Sequence, residues 1–539
     1  MGRRDFLRNA LVGGTAALFA PKLSRGGQGA DSRIEVLLDE PIGTISPLLY
    51  GHFTENLGSV IYDGLWVGED SPVPNIGGIR KSVVENLRKI KPGIIRWPGG
   101  CFADSYDWRD GVGPRASRPK RPNFWGGVDP NQFGTNEIVR FCRLAGADPY
   151  LAANLRGGTA RDSDQWVEYC NSPARSTTLA IQRDQGGERD PLNVRYWGVG
   201  NEAWGCGGNF TPEEYASEYR RFTAWVPGFD VKLAFVGSGP NEADVEWTRK
   251  FFSRLTERDR GLVNSMYGWA LHHYSWNLGK GKTNDWNAAK GDALKFDVED
   301  WYELLKQADL TESMIEEHWL AMGEVDRRHH VKLVVDEWGA WFKPGTEGNP
   351  RHTLGQASTL RDAALAGLTL DIFNRNADKV GIACVAQLIN CLASLFTADG
   401  DKFMILPPFH VFEMYAAHQG GQSLRTVFSA PPAKYERVSQ PSTFWGLAGS
   451  ASLHDKQLVV TAVNPDVSEP RDAEIVVRGA RIKSGRATVL TASDIHAHNS
   501  FEEPDSIRPA ESELNGSTNG PIRYRFEPKS ITRLMLDLA

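Results

Sequence analysis

The chain has 539 residues, 41% of them hydrophobic and 24% charged, with a formal net charge of −6. That length exceeds one ordinary core and implies two domains. The 67 acidic residues outnumber the 61 basic ones and no basic block stands out, which argues against a nucleic-acid partner.

The first element reads as a leader. MGRRDFLRNALVGGTAALFAPK opens on basic residues, runs apolar from Ala10 to Ala20 and stops at Pro21-Lys22. The run is too short to span a bilayer and has the form of a signal peptide's apolar region, so no stable membrane insertion is expected. Arg3-Arg4 followed by Phe6-Leu7 resembles a twin-arginine export signal. Residues 1–30 are therefore expected to be removed, and the protein to be periplasmic or extracellular.

From residue 48 to 410 the chain alternates between β-type apolar runs and helical patterns. The runs are LLYGHF, GIIRW, YLAANL, VRYWGVG, KLAFVG, YGWALHHY, KLVVDEW and GIACVAQLI. Between them, Ile79, Val83, Val84, Leu87 and Ile90 recur at helical spacing, and Thr211-Pro212-Glu213-Glu214 has the form of a capped helix start. Eight apolar strands with helical crossovers predict an α/β protein built on a (β/α)8 barrel. After a helical stretch around His410–His418 the texture changes. QLVVTAV, AEIVVRG, ATVLTA and ITRLMLDL are short runs separated by turn residues, the pattern of a C-terminal antiparallel β-sandwich. RIEVLLD at 33–39 reads the same way, so residues 31–47 are assigned with 411–539 to the sandwich.

Active sites of such barrels lie at the C-terminal strand ends. Strand two ends RWPGGCFADSYDW, strand four GNEAW, strand six HHYSW and strand seven DEWGAW, and strand eight runs into AQLIN. Two of these ends carry glutamates, Glu202 and Glu337, each followed by tryptophan. Glycoside hydrolysis needs one carboxylic acid to protonate the leaving oxygen and one carboxylate to attack the anomeric carbon. Glu202 is expected to be the acid, its pKa raised by apolar neighbours and the second carboxylate, and Glu337 the nucleophile beside donors such as Arg96. Of 17 tryptophans, 16 precede Phe342, and their flat faces suit sugar rings as well as a core.

RWPGGCFADSYDWRDGVGP, YWGVGNEAWGCGG and VVDEWGAWF resemble the blocks of family 51 glycoside hydrolases, chiefly α-L-arabinofuranosidases. The resemblance covers most of residues 35–530. It implies that Glu202 is acid/base and Glu337 nucleophile, and that Glu55, Arg96, Asn201, Tyr274 and Gln387 hold the furanose ring. It further implies a retaining exo-glycosidase acting on arabinose-containing carbohydrate, without cofactor or metal, and suggests a homo-oligomer. Where many members have asparagine after RWPGG, this chain has Cys101, which is predicted to be a free thiol lining the sugar site.

Six cysteines show neither CxxC nor another metal spacing, so no dense disulfide framework is expected. His272 and His273 are neighbours on a strand and should face opposite ways. His496-Ala497-His498 lies in a turn-rich part of the sandwich. Three other readings stay open at this point: a galactofuranosidase, an endo-acting β-glucanase or xylanase on the same scaffold, and a carbohydrate-binding protein without catalysis.

Overall fold

All eight apolar runs become strands of one closed parallel barrel in the computed structural model, which describes residues 30–346, 349, 351–515 and 521–539. In chain order the barrel strands are Gly51–Phe53, Ile94–Trp97, Asp148–Ala153, Tyr196–Val199, Ala234–Gly237, Met266–Ser275, Lys332–Ala340 and Val380–Ala386. They are referred to below as barrel strands one to eight. Strands two, four and five are buried at every residue, because helices cover their outer faces while side chains fill the interior. The expected leader, apart from residue 30, lies outside the described residues.

Helices begin where their caps predict. The Thr211 hydroxyl accepts a hydrogen bond from the Glu214 backbone N–H, and the Glu214 carboxylate accepts one from the Thr211 backbone N–H, at the start of helix Pro212–Thr223. One expectation needs correction. Ile79 sits in a two-residue strand, Ile79–Arg80, and the helix starts only at Lys81, where Val83, Val84, Leu87 and Ile90 form its buried face.

Strand seven carries one extra residue. Ala270 pairs with Val334 but His272 pairs with Glu337, and on the other side Val335 pairs with Ala383 but Trp338 with Val385. Such a bulge breaks the period of two that sends neighbouring side chains to opposite faces. Asp336 and Glu337 consequently both reach Arg96.

The second architectural unit is a nine-stranded sheet with its own apolar core, which includes Ile34, Leu458, Ile475, Phe526 and Leu534. Strand Ser32–Thr44 sits inside it, antiparallel to Gln422–Ser429 and parallel to Arg471–Arg478. Helix Leu360–Arg375, which precedes barrel strand eight, joins the two units. Buried Asp371 on that helix accepts hydrogen bonds from Ser450 at 2.6 Å, Thr461 at 2.5 Å and Tyr415 at 2.8 Å. Burial pushes its carboxyl up to about 6, against those three donors.

Stopping the chain near residue 420 would leave strand Ser32–Thr44 without either neighbour and uncover the outer face of helix Leu360–Arg375. The expected result is insoluble protein, read from the soluble fraction after expression. A soluble truncation with full activity would show that the sheet is dispensable.

Candidate active site

The sequence-predicted residues converge. Glu55, Asn201, Glu202, Tyr274, Glu337 and Gln387 line a single cavity of about 390 Å³ at the C-terminal ends of the barrel strands, together with Trp125, Trp204, Trp276, Trp286 and Trp341. Arg96 does not line it. Its guanidinium, 1% exposed, lies beneath and holds the lining groups in place.

Both oxygens of Glu337 are held. Oε1 accepts from Arg96 Nη1 at 2.8 Å, and Oε2 accepts from the Tyr274 hydroxyl at 2.8 Å. Arg96 also donates through Nη2 to Asn201 Oδ1 at 2.6 Å, and its Nε lies 3.2 Å from Asp336 Oδ2. Burial works against a charge on Arg96, yet Asp336 and Glu337 beside it raise its pKa above the ordinary value. Asp336 is further held by the Tyr150 hydroxyl at 2.9 Å.

Glu202 follows strand four with φ at +40°, a left-handed conformation that non-glycine residues rarely adopt and that is concentrated at functional sites. Its Oε1 is 3.0 Å from His272 Nδ1, whose ring also lies 3.3 Å from Asp336 and 3.6 Å from Glu337. One atom each from Glu202, His272 and Glu337 falls within 4.8 Å of the others. Sequence reasoning missed His272 and Asp336. It placed His272 and His273 on opposite faces, and His273 does bond the Gln307 carbonyl at 2.6 Å, but His272 entered only as half of a metal question. The expected setting of Glu202, apolar neighbours and a second carboxylate, thus omitted the imidazole that touches it.

Burial opposes protonation of His272, but Glu337, Asp336 and Glu202 outweigh it and push its pKa up to about 10 from 6.5. A group raised on folding stabilises fully below its unfolded pKa, and that contribution is lost as pH rises through the folded value. The stability advantage of the native protein over His272→Gln should therefore be largest below pH 6.5 and shrink towards pH 10. Urea midpoints of both proteins across that range check it, and a constant gap would refute a charged His272.

Glu55, 2% exposed, makes a reciprocal pair with Gln387: its backbone N–H donates to Gln387 Oε1 at 2.9 Å and its Oε2 accepts from Gln387 Nε2 at 3.0 Å. Its Oε1 accepts from the Phe102 backbone at 3.0 Å and the Trp125 indole at 2.9 Å. Burial nevertheless pushes Glu55 up to about 7. The fit requires glycine at 99 and 100, where an added Cβ would stand 2.8 Å from the Glu55 carboxylate.

The free thiol expected at Cys101 is contradicted. Cys101 forms a disulfide with Cys206, 105 residues further on, and joins the loops after strands two and four over Glu202. Cys142, Cys170, Cys384 and Cys391 are free and buried. His496 is engaged by the Phe296 carbonyl at 2.7 Å and Asp494 at 2.8 Å. Among the described residues no helix is long and apolar enough to cross a membrane.

Two family models match the chain: "Alpha-L-arabinofuranosidase 1 domain" over residues 86–290 and "Alpha-L-arabinofuranosidase C-terminal domain" over 336–530. An intracellular exo-α-L-arabinofuranosidase of Bacteroides ovatus is 34% identical over 97% of this chain and 98% of its own length. Among solved structures, the family 51 arabinofuranosidase of Xanthomonas axonopodis pv. citri superposes with a TM-score of 0.87 at 33% identity, covering 94% of this chain and all of that one. The α-L-arabinofuranosidase of Thermotoga maritima, solved with arabinose, gives 0.78 at 28% identity with the same coverage. The Bacteroides relative is described as intracellular, which overturns the expectation of a periplasmic or extracellular protein.

Proposed function

This chain belongs to the α-L-arabinofuranosidases of glycoside hydrolase family 51, and we propose that Glu202 and Glu337 are its acid/base and nucleophile. The enzyme is a retaining exo-glycosidase that releases terminal α-L-arabinofuranosyl residues from arabinose-containing carbohydrate by double displacement. These relatives do not favour the galactofuranosidase, endo-glycanase or non-catalytic readings.

The observation that carries the residue assignment is the approach of Glu202 and Glu337 to within 4.8 Å. Retaining glycosidases hold their two carboxyl groups roughly 5–5.5 Å apart, too close for an intervening water. In the first displacement Glu337 attacks the anomeric carbon while Glu202 gives its proton to the departing oxygen. In the second, Glu202 takes a proton from water, and that water breaks the bond to Glu337 with a second inversion. Arg96 and Tyr274 aim Glu337, which supports its role as nucleophile, and His272 aims Glu202.

Glu55, Gln387, Asn201 and Tyr274 offer polar atoms around a pocket for one small ring, which supports exo action. Arg96, set below the cavity, acts by positioning. The catalytic unit is taken as 48–410, with 31–47 and 411–539 as the supporting domain. A homo-oligomer also belongs to this reading, as the family resemblance suggests. Nitrophenyl α-L-arabinofuranoside and nitrophenyl β-D-galactofuranoside decide the sugar, and proton NMR of the first-formed arabinose decides the stereochemistry. Release of the α-anomer is expected, and the β-anomer would refute this pair.

A further inference from the structure

We propose that the Cys101–Cys206 pair, once reduced, forms with Glu202 a site for a zinc-class dication that silences the enzyme. Three observations meet here. The Sγ atoms of Cys206 and Cys101 lie 3.6 Å and 3.9 Å from the same oxygen, Glu202 Oε2. Cys101, Glu202 and Cys206 each offer a ligand atom, and these three atoms lie within 4.8 Å of one another. All three residues are partly exposed, and Cys101 and Glu202 line the cavity, so a small reductant and an ion can reach them.

Reduction need not scatter the ligands. Buried Asp104 ties the same loops together without the disulfide: its Oδ2 accepts from the Asn201 backbone at 2.9 Å, and its Oδ1 accepts from the Leu155 and Arg156 backbones at 2.7 Å and 3.2 Å. The Cα atoms of the two cysteines are 5.5 Å apart. Tetrahedral zinc with Zn–S bonds of about 2.3 Å places its two sulfurs roughly 3.8 Å apart, a spread that side-chain rotation alone can reach from this separation.

Once deprotonated by the ion, Glu202 and the two cysteine thiolates place three negative ligand groups around it. Two thiolates select soft or borderline ions over magnesium or calcium.

The chemistry balances. A dithiol reductant gives two electrons and two protons to the disulfide, yielding two cysteine thiols and the cyclic disulfide of the reductant. The dication then displaces to solvent both thiol protons and the proton that Glu202 carries as the acid, and takes one oxygen of the resulting carboxylate. A carboxylate so coordinated cannot shuttle a proton. The metal site stands on geometry alone, while the loss of turnover rests on Glu202 being the acid/base.

The test uses the full chain, reduced with a dithiol and desalted without oxygen, beside the untreated protein. Cadmium should give a thiolate charge-transfer band saturating at one equivalent in the reduced protein only. Zinc should lower its turnover of nitrophenyl α-L-arabinofuranoside at least about tenfold, with magnesium without effect. Cys206→Ser and Cys101→Ser, treated identically, should lose both the band and the fractional inhibition. The oxidised wild type is a control that needs no variant to fold. Equal zinc sensitivity of oxidised and reduced protein, absence of the band, or a band without loss of turnover would each overturn the proposal. Failure of the acid/base assignment itself would show separately, in the azide behaviour of Glu202→Ala.

Discussion

Glu202→Ala and Glu337→Ala are expected to fail at different steps. With a nitrophenyl leaving group, Glu202→Ala should still form the glycosyl-enzyme on Glu337, because such a group departs without a proton, and should then stall for want of a base. Azide needs no base. It should restore turnover and yield the α-glycosyl azide, since two inversions retain configuration. On a natural substrate, which needs the proton, the same variant should lose roughly 10²–10⁴-fold, or about 3–5 kcal/mol of barrier. Glu337→Ala loses the covalent route itself and should fall further. Azide can then occupy the vacated space and attack the substrate once, giving the β-glycosyl azide. The anomeric configuration of the azide, read by NMR, separates the two roles, and the same anomer from both variants would refute the assignment.

The second large effect is expected at Arg96. Its guanidinium is buried against Glu337, Asp336 and Asn201 and lies 4.6 Å from the centre of the Phe53 ring. Arg96→Met would leave two buried carboxylates without this counter-charge, a loss of about 3–5 kcal/mol of stability. Activity should fall with it, because Glu337 loses the donor to its Oε1 and keeps only partners on the Oε2 side, Tyr274 and His272. Arg96→Lys should recover part of the stability but little activity, since an ammonium cannot hold three partners in one plane. Thermal melts and kcat of both variants check this. Wild-type stability in Arg96→Met would mean that Asp336 and Glu337 are compensated elsewhere.

The proposed catalytic pair was legible because two sequence signals coincide. Eight apolar runs mark the barrel strands, and a glutamate at the end of such a run, as in GNEAW and DEWGAW, breaks the apolar pattern where a barrel presents its side chains to substrate. The supporting shell was not legible for three physical reasons. Asp336 turns inward through a bulge, and the pairing register that creates the bulge depends on both neighbouring strands. His272 becomes a buried cation only when strand six lies beside strand seven and three carboxylates surround it. Arg96, at the end of strand two, looked like a sugar contact, but the depth at which it lies depends on what stands above it.

By itself, the sequence determined the eight strands, the capped helices, the alternating strands of the second domain and the two glutamates, because local spacing and side-chain chemistry suffice for those. Only the tertiary structure decided that Cys101 meets Cys206 across 105 residues, that Asp104 staples three loop segments, and that one cation beneath the cavity serves two carboxylates and an amide. Pairings over such separations leave no periodic trace in the chain, because they are set by which strand ends become neighbours when the barrel closes.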